Sequence, residues 1–222
     1  MEMKRNCFTL VELLITIAVI AILSALLLPA LNSAKEKAET IRCVGNIRQV
    51  GTFLMLYTEQ NDGIIPMYNG NQEGFFQGKW IDCAYSIYRN LAVRDHIWLE
   101  KQGTQYAAKD PFRCPRSTIS VIKTIDDLRY IVARHFGMNN KLCDLLLTKV
   151  ATPSQKSMLF DMDQPGLSSW ANPDAGSTDK IVNRNEGGLW RHYNYTGINV
   201  FFADGHVSGM RESAIRTSKT FW

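Results

Sequence analysis

The stretch that decides the fold runs from Phe8 to Leu31 and reads FTLVELLITIAVIAILSALLLPAL. Between Leu13 and Leu31 it holds twelve Leu, Ile or Val residues and no charged residue. As a helix this run covers about 28 Å, close to the hydrocarbon thickness of a bilayer. It therefore predicts a transmembrane helix over residues 8–31. The run is longer than the apolar region of a cleaved secretory signal.

The residues around the apolar run set its expected orientation. Lys4 and Arg5 precede it, and positive residues favour the cytoplasmic side of a membrane. The N-terminus is therefore expected in the cytoplasm, with the C-terminal domain on the other side. Glu12 stands at the cytoplasmic edge of the span. Because a carboxylate there is costly without an opposite charge, we expect Glu12 to be functional.

The string FTLVELL, from Phe8 to Leu14, follows a short basic leader and precedes a long apolar helix. It resembles the class III leader of type IV prepilins and type II secretion pseudopilins. The resemblance implies cleavage between Cys7 and Phe8 by a prepilin peptidase, and methylation of the new Phe8 amine. It also implies that Glu12 pairs with the terminal amine of a neighbouring subunit during assembly, and that Pro29 is a helix-kinking proline. Cys7 replaces the glycine usual in that family.

The helical pattern continues beyond the apolar run. Residues 32–58 contain no proline and are rich in Ala, Lys and Glu, which favour helix. Apolar residues recur there at steps of three and four and predict one buried stripe: Ala38, Ile41, Val44, Ile47, Val50, Leu54 and Tyr57. We predict one continuous helix from about Phe8 to about Tyr57, ended by Asn61-Asp62-Gly63. The alternative is a helix broken at Pro29.

This organisation divides the chain into four segments. They are a leader (1–7), a transmembrane helix (8–31), the outer half of the same helix (32–60) and a globular β-rich domain (61–222). The expected fold class is α+β and pilin-like: one long N-terminal helix, transmembrane in its first half, packed on a C-terminal antiparallel β-sheet domain.

Three patterns in the outer domain predict local structure. Residues 127–136 suggest a strand followed by a turn at 137–140, and residues 158–160 suggest a buried strand. The Gly-, Pro- and Ser-rich residues 164–188 predict a long loop. Two apolar runs flank Asp204-Gly205, which predicts a β-hairpin with a type I′ turn.

The C-terminal region carries a second resemblance. His192, followed by Asp204-Gly205, resembles the H-X9-DG region of DUF1559-type prepilin-like proteins, although eleven residues separate His192 from Asp204 here. Two further stretches resemble that family: Arg42-Cys43 with Asn46, and Phe112-Arg113-Cys114-Pro115.

The five cysteines include no C-x-x-C pair, which argues against a structural zinc site. In an exported domain, Cys83, Cys114 and Cys143 are candidates for a disulfide. The alternative is that they are buried thiols, which behave as small apolar residues.

Other metal-ligating patterns are weak. A cluster of His192, Asp204 and His206 is disfavoured, because a hairpin turn already explains Asp204. Asp161 and Asp163 form a D-x-D that offers at most a calcium site, and no D-x-D-x-D-G loop accompanies them. We therefore expect no metal and no cofactor.

The distribution of charge and the motifs of known enzymes argue against two classes of function. The net charge of +4 is scattered, unlike a nucleic-acid footprint. The sequence lacks the G-x-S-x-G, H-E-x-x-H, Walker and G-x-G-x-x-G strings of common enzyme classes. We predict a structural pilin-like subunit of a type II secretion or type IV pilus-like assembly, not an enzyme. Its expected partners are other copies of itself in a helical fibre or pseudopilus, a prepilin peptidase, the assembly platform and the bacterial inner membrane.

Two alternatives remain open at this point. One is a single-pass envelope protein whose outer domain binds a ligand such as polysaccharide, with Trp170 and Trp190 as stacking residues, and which never polymerises. The other is an envelope enzyme that uses Cys114 as a thiol nucleophile.

Overall fold

A computed structural model of the chain describes residues 9–66, 99–102, 105–116, 135–161, 170–171, 192–193 and 196–217. Its helices are α1 (Leu10–Gln60) and α2 (Glu212–Thr217), and its strands are β1 (Leu99–Gln102), β2 (Gln105–Ala108), β3 (Phe136–Asn139), β4 (Ser157–Asp161), β5 (Trp170–Ala171), β6 (Gly197–Phe202) and β7 (Val207–Arg211). Short 3-10 helices lie at Asn140–Leu142, Leu147–Lys149 and Pro153–Gln155.

Helix α1 is continuous over 51 residues and passes through Pro29. The prediction of one continuous helix is confirmed, and the alternative of a break at Pro29 is wrong. The helix ends where the sequence indicated. Gly63 donates its N–H to the carbonyl of Thr58 (2.9 Å), and Asp62 and Gly63 both have positive φ. This turn satisfies a carbonyl that the helix end leaves open.

The chain divides into two compact units, Met1–Glu39 and Thr40–Trp222. In the first unit, every described residue from Thr9 to Lys35 is exposed. In the second, the part of α1 after Glu39 carries a buried face that belongs to the core of that unit.

The buried face of α1 differs from the predicted stripe. Ile47, Val50 and Leu54 are buried as predicted, whereas Ile41 is 71% exposed. Cys43 and Asn46 are buried instead. Periodicity missed both residues because it treats asparagine as polar and gives a lone cysteine little weight; here each is hydrogen-bonded inside the domain.

Within the described residues, five strands form one sheet in the order β5-β3-β4-β6-β7. Strands β3, β4, β6 and β7 pair antiparallel, and β5 adds parallel to β3. Strands β1 and β2 form a separate antiparallel pair. The predicted α+β class is confirmed: a long N-terminal helix is followed by a sheet in which four strands are antiparallel, consistent with the pilin fold.

The core of the second unit lies between α1 and this sheet. Its members are apolar side chains of both elements together with residues of the connecting loops. They include Ile47, Val50 and Leu54 of α1, Phe136 and Met138 of β3, Leu159 of β4, Phe201 of β6, and Phe112. The predicted strand over residues 158–160 is confirmed as β4, whose five residues are all buried.

The turn predicted at residues 137–140 is wrong. Residues 136–139 form strand β3, which is buried throughout. Gly137 pairs with Phe160 of β4, and the amide of Asn139 donates to the carbonyl of Ser157 (3.0 Å). Pairing with β4 therefore overrides the turn preference of glycine and asparagine. Most of the strand predicted over residues 127–136 lies outside the described residues.

The predicted C-terminal hairpin is present, but its turn is of another type. Strands β6 and β7 pair from Gly197–Arg211 to Phe201–Val207. Gly205 donates its N–H to the carbonyl of Phe202 (2.9 Å), and Phe202 donates to His206 (2.9 Å). Gly205 has a φ of +91°, whereas Asp204 is not among the residues with positive φ. This is a three-residue loop closed by a left-handed glycine, not a type I′ turn, which needs positive φ at both central residues.

Gly205→Ala is expected to reduce the free energy of unfolding by about 1–2 kcal/mol, because an alanine resists the left-handed region. A Cβ at this position would meet nothing within 4 Å, so the cost is conformational. Gly205→Asn is the matched control and should cost less, since asparagine tolerates this region better. Denaturant unfolding of the full chain in detergent measures both. An equal loss in the two variants would contradict this explanation.

Candidate functional site

The first turn of α1 forms a capping box around Glu12. One carboxylate oxygen of Glu12 accepts hydrogen bonds from the backbone N–H of Thr9 (2.8 Å) and from its hydroxyl (2.7 Å). The backbone N–H of Glu12 donates to the hydroxyl oxygen of Thr9 (3.2 Å). Thr9 is therefore the N-cap, and Glu12 is the third helical residue that reaches back to it. Sequence reasoning gave Glu12 an intermolecular role and missed this local one.

The half of α1 that follows is apolar on all sides and unburied. Its large side chains are between 49% and 80% exposed: Leu10, Val11, Leu13, Leu14, Ile15, Ile17, Val19, Ile20, Ile22, Leu23, Leu26, Leu27, Leu28 and Leu31. By length and composition α1 is able to cross a membrane. A contiguous apolar surface of this extent marks a region covered by lipid or by other protein.

A second constellation lies inside the second unit, Thr40–Trp222, which we call the outer unit. The ligand-type atoms of Cys43, Cys114, Asp161 and His192 lie within 4.8 Å of one another, and all four side chains are buried. The thiol of Cys43 donates to Asp161 Oδ1 (3.1 Å). His192 Nε2 lies 3.1 Å from Asp161 Oδ2 and 3.4 Å from the Sγ of Cys114. We call these four residues the buried cluster.

Four separate segments bring the buried cluster together. Cys43 comes from α1, Cys114 from the loop after β2, Asp161 from the end of β4, and His192 from the bridge before β6. The backbone N–H of Asn199 on β6 fixes Asp161 by donating to its Oδ2 (2.8 Å).

The loop that carries Cys114 is tied directly to α1. The Asn46 amide donates to Asp110 Oδ1 (2.8 Å) and to the carbonyl of Arg113 (2.6 Å). Arg42 forms an ion pair with the same Asp110. These contacts hold Cys114 beside the helix that carries Cys43.

The other side of the His192 ring is also held. Its Nδ1 lies 3.1 Å from the hydroxyl oxygen of Thr40. The imidazole is thus anchored at Nδ1, and Nε2 is directed at the carboxylate and the two sulfurs.

Burial and mutual contacts shift the pKa values of His192 and Cys43. Burial lowers the pKa of His192, but its hydrogen bonds with Asp161 and Cys114 outweigh burial and raise that pKa to about 9. Burial, followed by the contacts with Cys114 and Asp161, raises the pKa of the Cys43 thiol. These shifts favour a buried imidazolium–carboxylate pair beside a neutral Cys43 thiol.

The histidine and aspartate of the second resemblance separate in space. His192 faces the buried cluster, whereas the Asp204 carboxylate pairs with His206 Nδ1 (2.6 Å) on the exposed hairpin. The His206 ring stacks on Phe202 with centroids 4.3 Å apart. The set of His192, Asp204 and His206 that sequence analysis disfavoured as a metal site is not brought together. Arg42, Cys43, Asn46 and Cys114 of the same resemblance do meet around the buried cluster.

The remaining predicted residues are placed as follows. Cys43, Cys114 and Cys143 are thiols rather than disulfides in the structure. Asp161, considered above for a calcium site, is fully buried and belongs to the buried cluster. Cys7, Phe8, Cys83, Asp163 and Trp190 lie outside the described residues.

One comparison with known proteins bears on the first turn of α1. Residues 4–28 match the prokaryotic N-terminal methylation motif. The matched residues include Cys7, Phe8 and Glu12, and the match supports a prepilin-like protein. It implies processing by a prepilin peptidase and a pilus-like assembly. No curated protein and no solved structure matches this chain.

Sequence reasoning missed the buried cluster as a unit. Its four members have no short spacing between them, so no local pattern marks them as ligands. The second resemblance named Cys43, Cys114 and His192, and it was the available signal that they belong together.

Proposed function

We propose that the chain is a structural pilin-like subunit of a type II secretion or type IV pilus-like assembly, anchored in the bacterial inner membrane by α1. The observation that carries this proposal is the coincidence of the methylation motif at residues 4–28 with an apolar half-helix exposed on all sides. Its role is structural rather than catalytic, since an assembly of this kind needs no chemistry after processing.

The exposed half of α1 supports assembly through the membrane. Apolar side chains on every face are suited first to lipid and then to the same half-helix of neighbouring subunits. The positive residues Lys4 and Arg5 support an N-terminus in the cytoplasm, with the outer unit periplasmic or carried in an extracellular fibre.

The methylation motif supports maturation at the N-terminus. A prepilin peptidase cuts between Cys7 and Phe8 and leaves a Phe8 amine that becomes methylated. Glu12 then pairs with this amine on a neighbouring subunit, because a carboxylate in an apolar bundle requires an opposite charge. The DUF1559-type resemblance around His192 and Asp204-Gly205 extends the proposal to prepilin-like proteins of that group.

The capping box allows the charge of Glu12 to be tested separately from its hydrogen bonds with Thr9. Glu12→Gln keeps the side-chain length and hydrogen-bonding pattern of a capping box but removes the charge. Thr9→Ala weakens the cap but keeps the charge. We expect Glu12→Gln to reduce cross-linked ladders in native membranes at least about tenfold, because loss of one partner of a buried charge pair costs about 2–5 kcal/mol. Thr9→Ala should retain them.

Mass spectrometry of the N-terminus is the second measurement. The membrane form should begin with methylated Phe8. Recovery of intact Met1 from cells with an active prepilin peptidase would contradict maturation. Ladders that survive Glu12→Gln would remove the assembly role of Glu12, and an absence of ladders in the unmodified chain would favour a single-pass protein that does not polymerise.

A further inference from the structure

The proposed assembly does not use the buried cluster. The close approach of its four side chains therefore needs a separate explanation. Two sulfurs, one carboxylate and one imidazole nitrogen converge from four segments on a common point. We propose that Cys43, Cys114, Asp161 and His192 are the four ligands of a structural zinc ion in the outer unit.

The orientation of His192 separates a metal site from a catalytic one. In a nucleophile–histidine–acid triad, the nucleophile and the acid face opposite nitrogens of the ring. Here Asp161 and Cys114 both face Nε2, at 3.1 and 3.4 Å. All four side chains are fully buried, so a substrate has no access to the thiols. The groups are arranged around a point rather than along a proton-transfer chain.

The surroundings supply the supports that zinc ligands need. A ligating histidine typically donates its other ring N–H to a fixed acceptor, and the Thr40 hydroxyl oxygen lies 3.1 Å from His192 Nδ1. Ligating carboxylates are likewise held by hydrogen bonds, and Asn199 donates its backbone N–H to Asp161 (2.8 Å). The Asn199 bond is to Oδ2 of Asp161, whereas Oδ1 is the oxygen that faces the thiol of Cys43.

The donor set selects the metal. Thiolates and imidazole favour zinc over calcium and magnesium, which prefer oxygen ligands. Four protein ligands without an open position are typical of a structural zinc site rather than a catalytic one. On binding, the two thiols would lose their protons, and His192 would ligate as neutral imidazole. The ion would then join α1 to the β2–β3 connection, to β4 and to the segment before β6.

The decisive measurement is the metal content of the full chain, purified in detergent with a reducing agent and without a chelator. Elemental analysis should give about one zinc per chain. Chain stripped of metal should take up Co²⁺ with the thiolate charge-transfer bands of tetrahedral coordination, and zinc should displace the cobalt. This titration uses the unmodified chain, so it does not depend on whether a variant folds.

Variants assign the ligands. Cys43→Ser and Cys114→Ser should each lose the zinc. Cys143→Ser is the matched control and should keep it, since that partly buried thiol donates instead to the carbonyl of Asn139 (3.7 Å). Thr40→Val, which removes only the support of His192, should keep the cobalt spectrum and weaken zinc affinity about 10–100-fold.

Three outcomes would overturn the zinc site. The first is a stripped chain that binds neither Zn²⁺ nor Co²⁺. The second is undiminished zinc in both cysteine variants. The third is a Cys43–Cys114 disulfide, found by peptide mapping of chain taken from native membranes without reductant. None of these results would affect the methylated N-terminus or the cross-linked ladders, so the zinc site and the proposed function fail or stand separately.

Discussion

Asp161→Ala is expected to lower the free energy of unfolding by about 3–5 kcal/mol in the presence of a chelator. Removing one partner of a buried ion pair leaves the other charge uncompensated. Here it also leaves the buried N–H of Asn199 without its carboxylate acceptor. Asp161 and His192 are both fully buried, so water cannot replace the lost contacts. The chelator removes any contribution of a bound metal, so the loss reports only the protein contacts of the Asp161 carboxylate.

Denaturant unfolding of the full chain in detergent measures this loss. Glu59→Ala is the control: Glu59 is an exposed carboxylate near the end of α1, and its loss should stay within about 0.5 kcal/mol. The double variant Asp161→Ala/His192→Asn should cost less than the two single losses together, with a coupling energy of about 0.5–3 kcal/mol. Additive losses would show that the two residues do not stabilise each other.

The same substitution at two glycines of α1 is expected to have opposite effects. At Gly51, a Cβ would overlap ring atoms of Phe201, and this ring is almost fully buried in the core. Gly51→Ala should therefore destabilise the outer unit by about 1–3 kcal/mol through overpacking. At Gly45, a Cβ would meet nothing within 4 Å, so Gly45→Ala should stabilise by up to about 1 kcal/mol through helix propensity.

Both variants place alanine in the interior of the same helix, so helix propensity changes equally in the two. The difference between their free energies of unfolding isolates the contact of α1 with β6. We expect the compensating variant Gly51→Ala/Phe201→Leu to recover part of the loss by removing the ring. Equal stabilisation by the two alanines would mean that α1 does not approach Phe201 this closely.

The sequence was sufficient for the elements that depend on local pattern. Three features each depend on residues that are close together in the sequence, so short patterns predict them. They are the apolar run from Leu13 to Leu31, the closing turn at Asp62-Gly63 and the glycine of the final hairpin. The start of α1 was also predictable from the sequence, because Thr9 and Glu12 have the spacing of a capping box.

The wrong predictions concern residues whose structure is determined by contacts with segments distant in the sequence. Gly137 and Asn139 have turn preferences, yet β4 recruits them into a strand by pairing and by a side-chain bond. Cys43 faces the core because its hydrogen-bonding partners arrive from distant segments. Nothing in the residues next to a lone cysteine reveals such partners, and for the same reason local patterns did not predict the buried cluster.

The bonds between Thr9 and Glu12 bear on the reversibility of the proposed fibre. In that fibre, a subunit alone in the bilayer would already hydrogen-bond its acidic group within its own first turn, where Thr9 donates to Glu12. Docking would then exchange internal donors for the amine of a neighbour, and withdrawal would restore them. Subunits would return to the lipid with the Glu12 carboxylate still hydrogen-bonded, which would let a reservoir of monomers feed growth and receive retracted subunits.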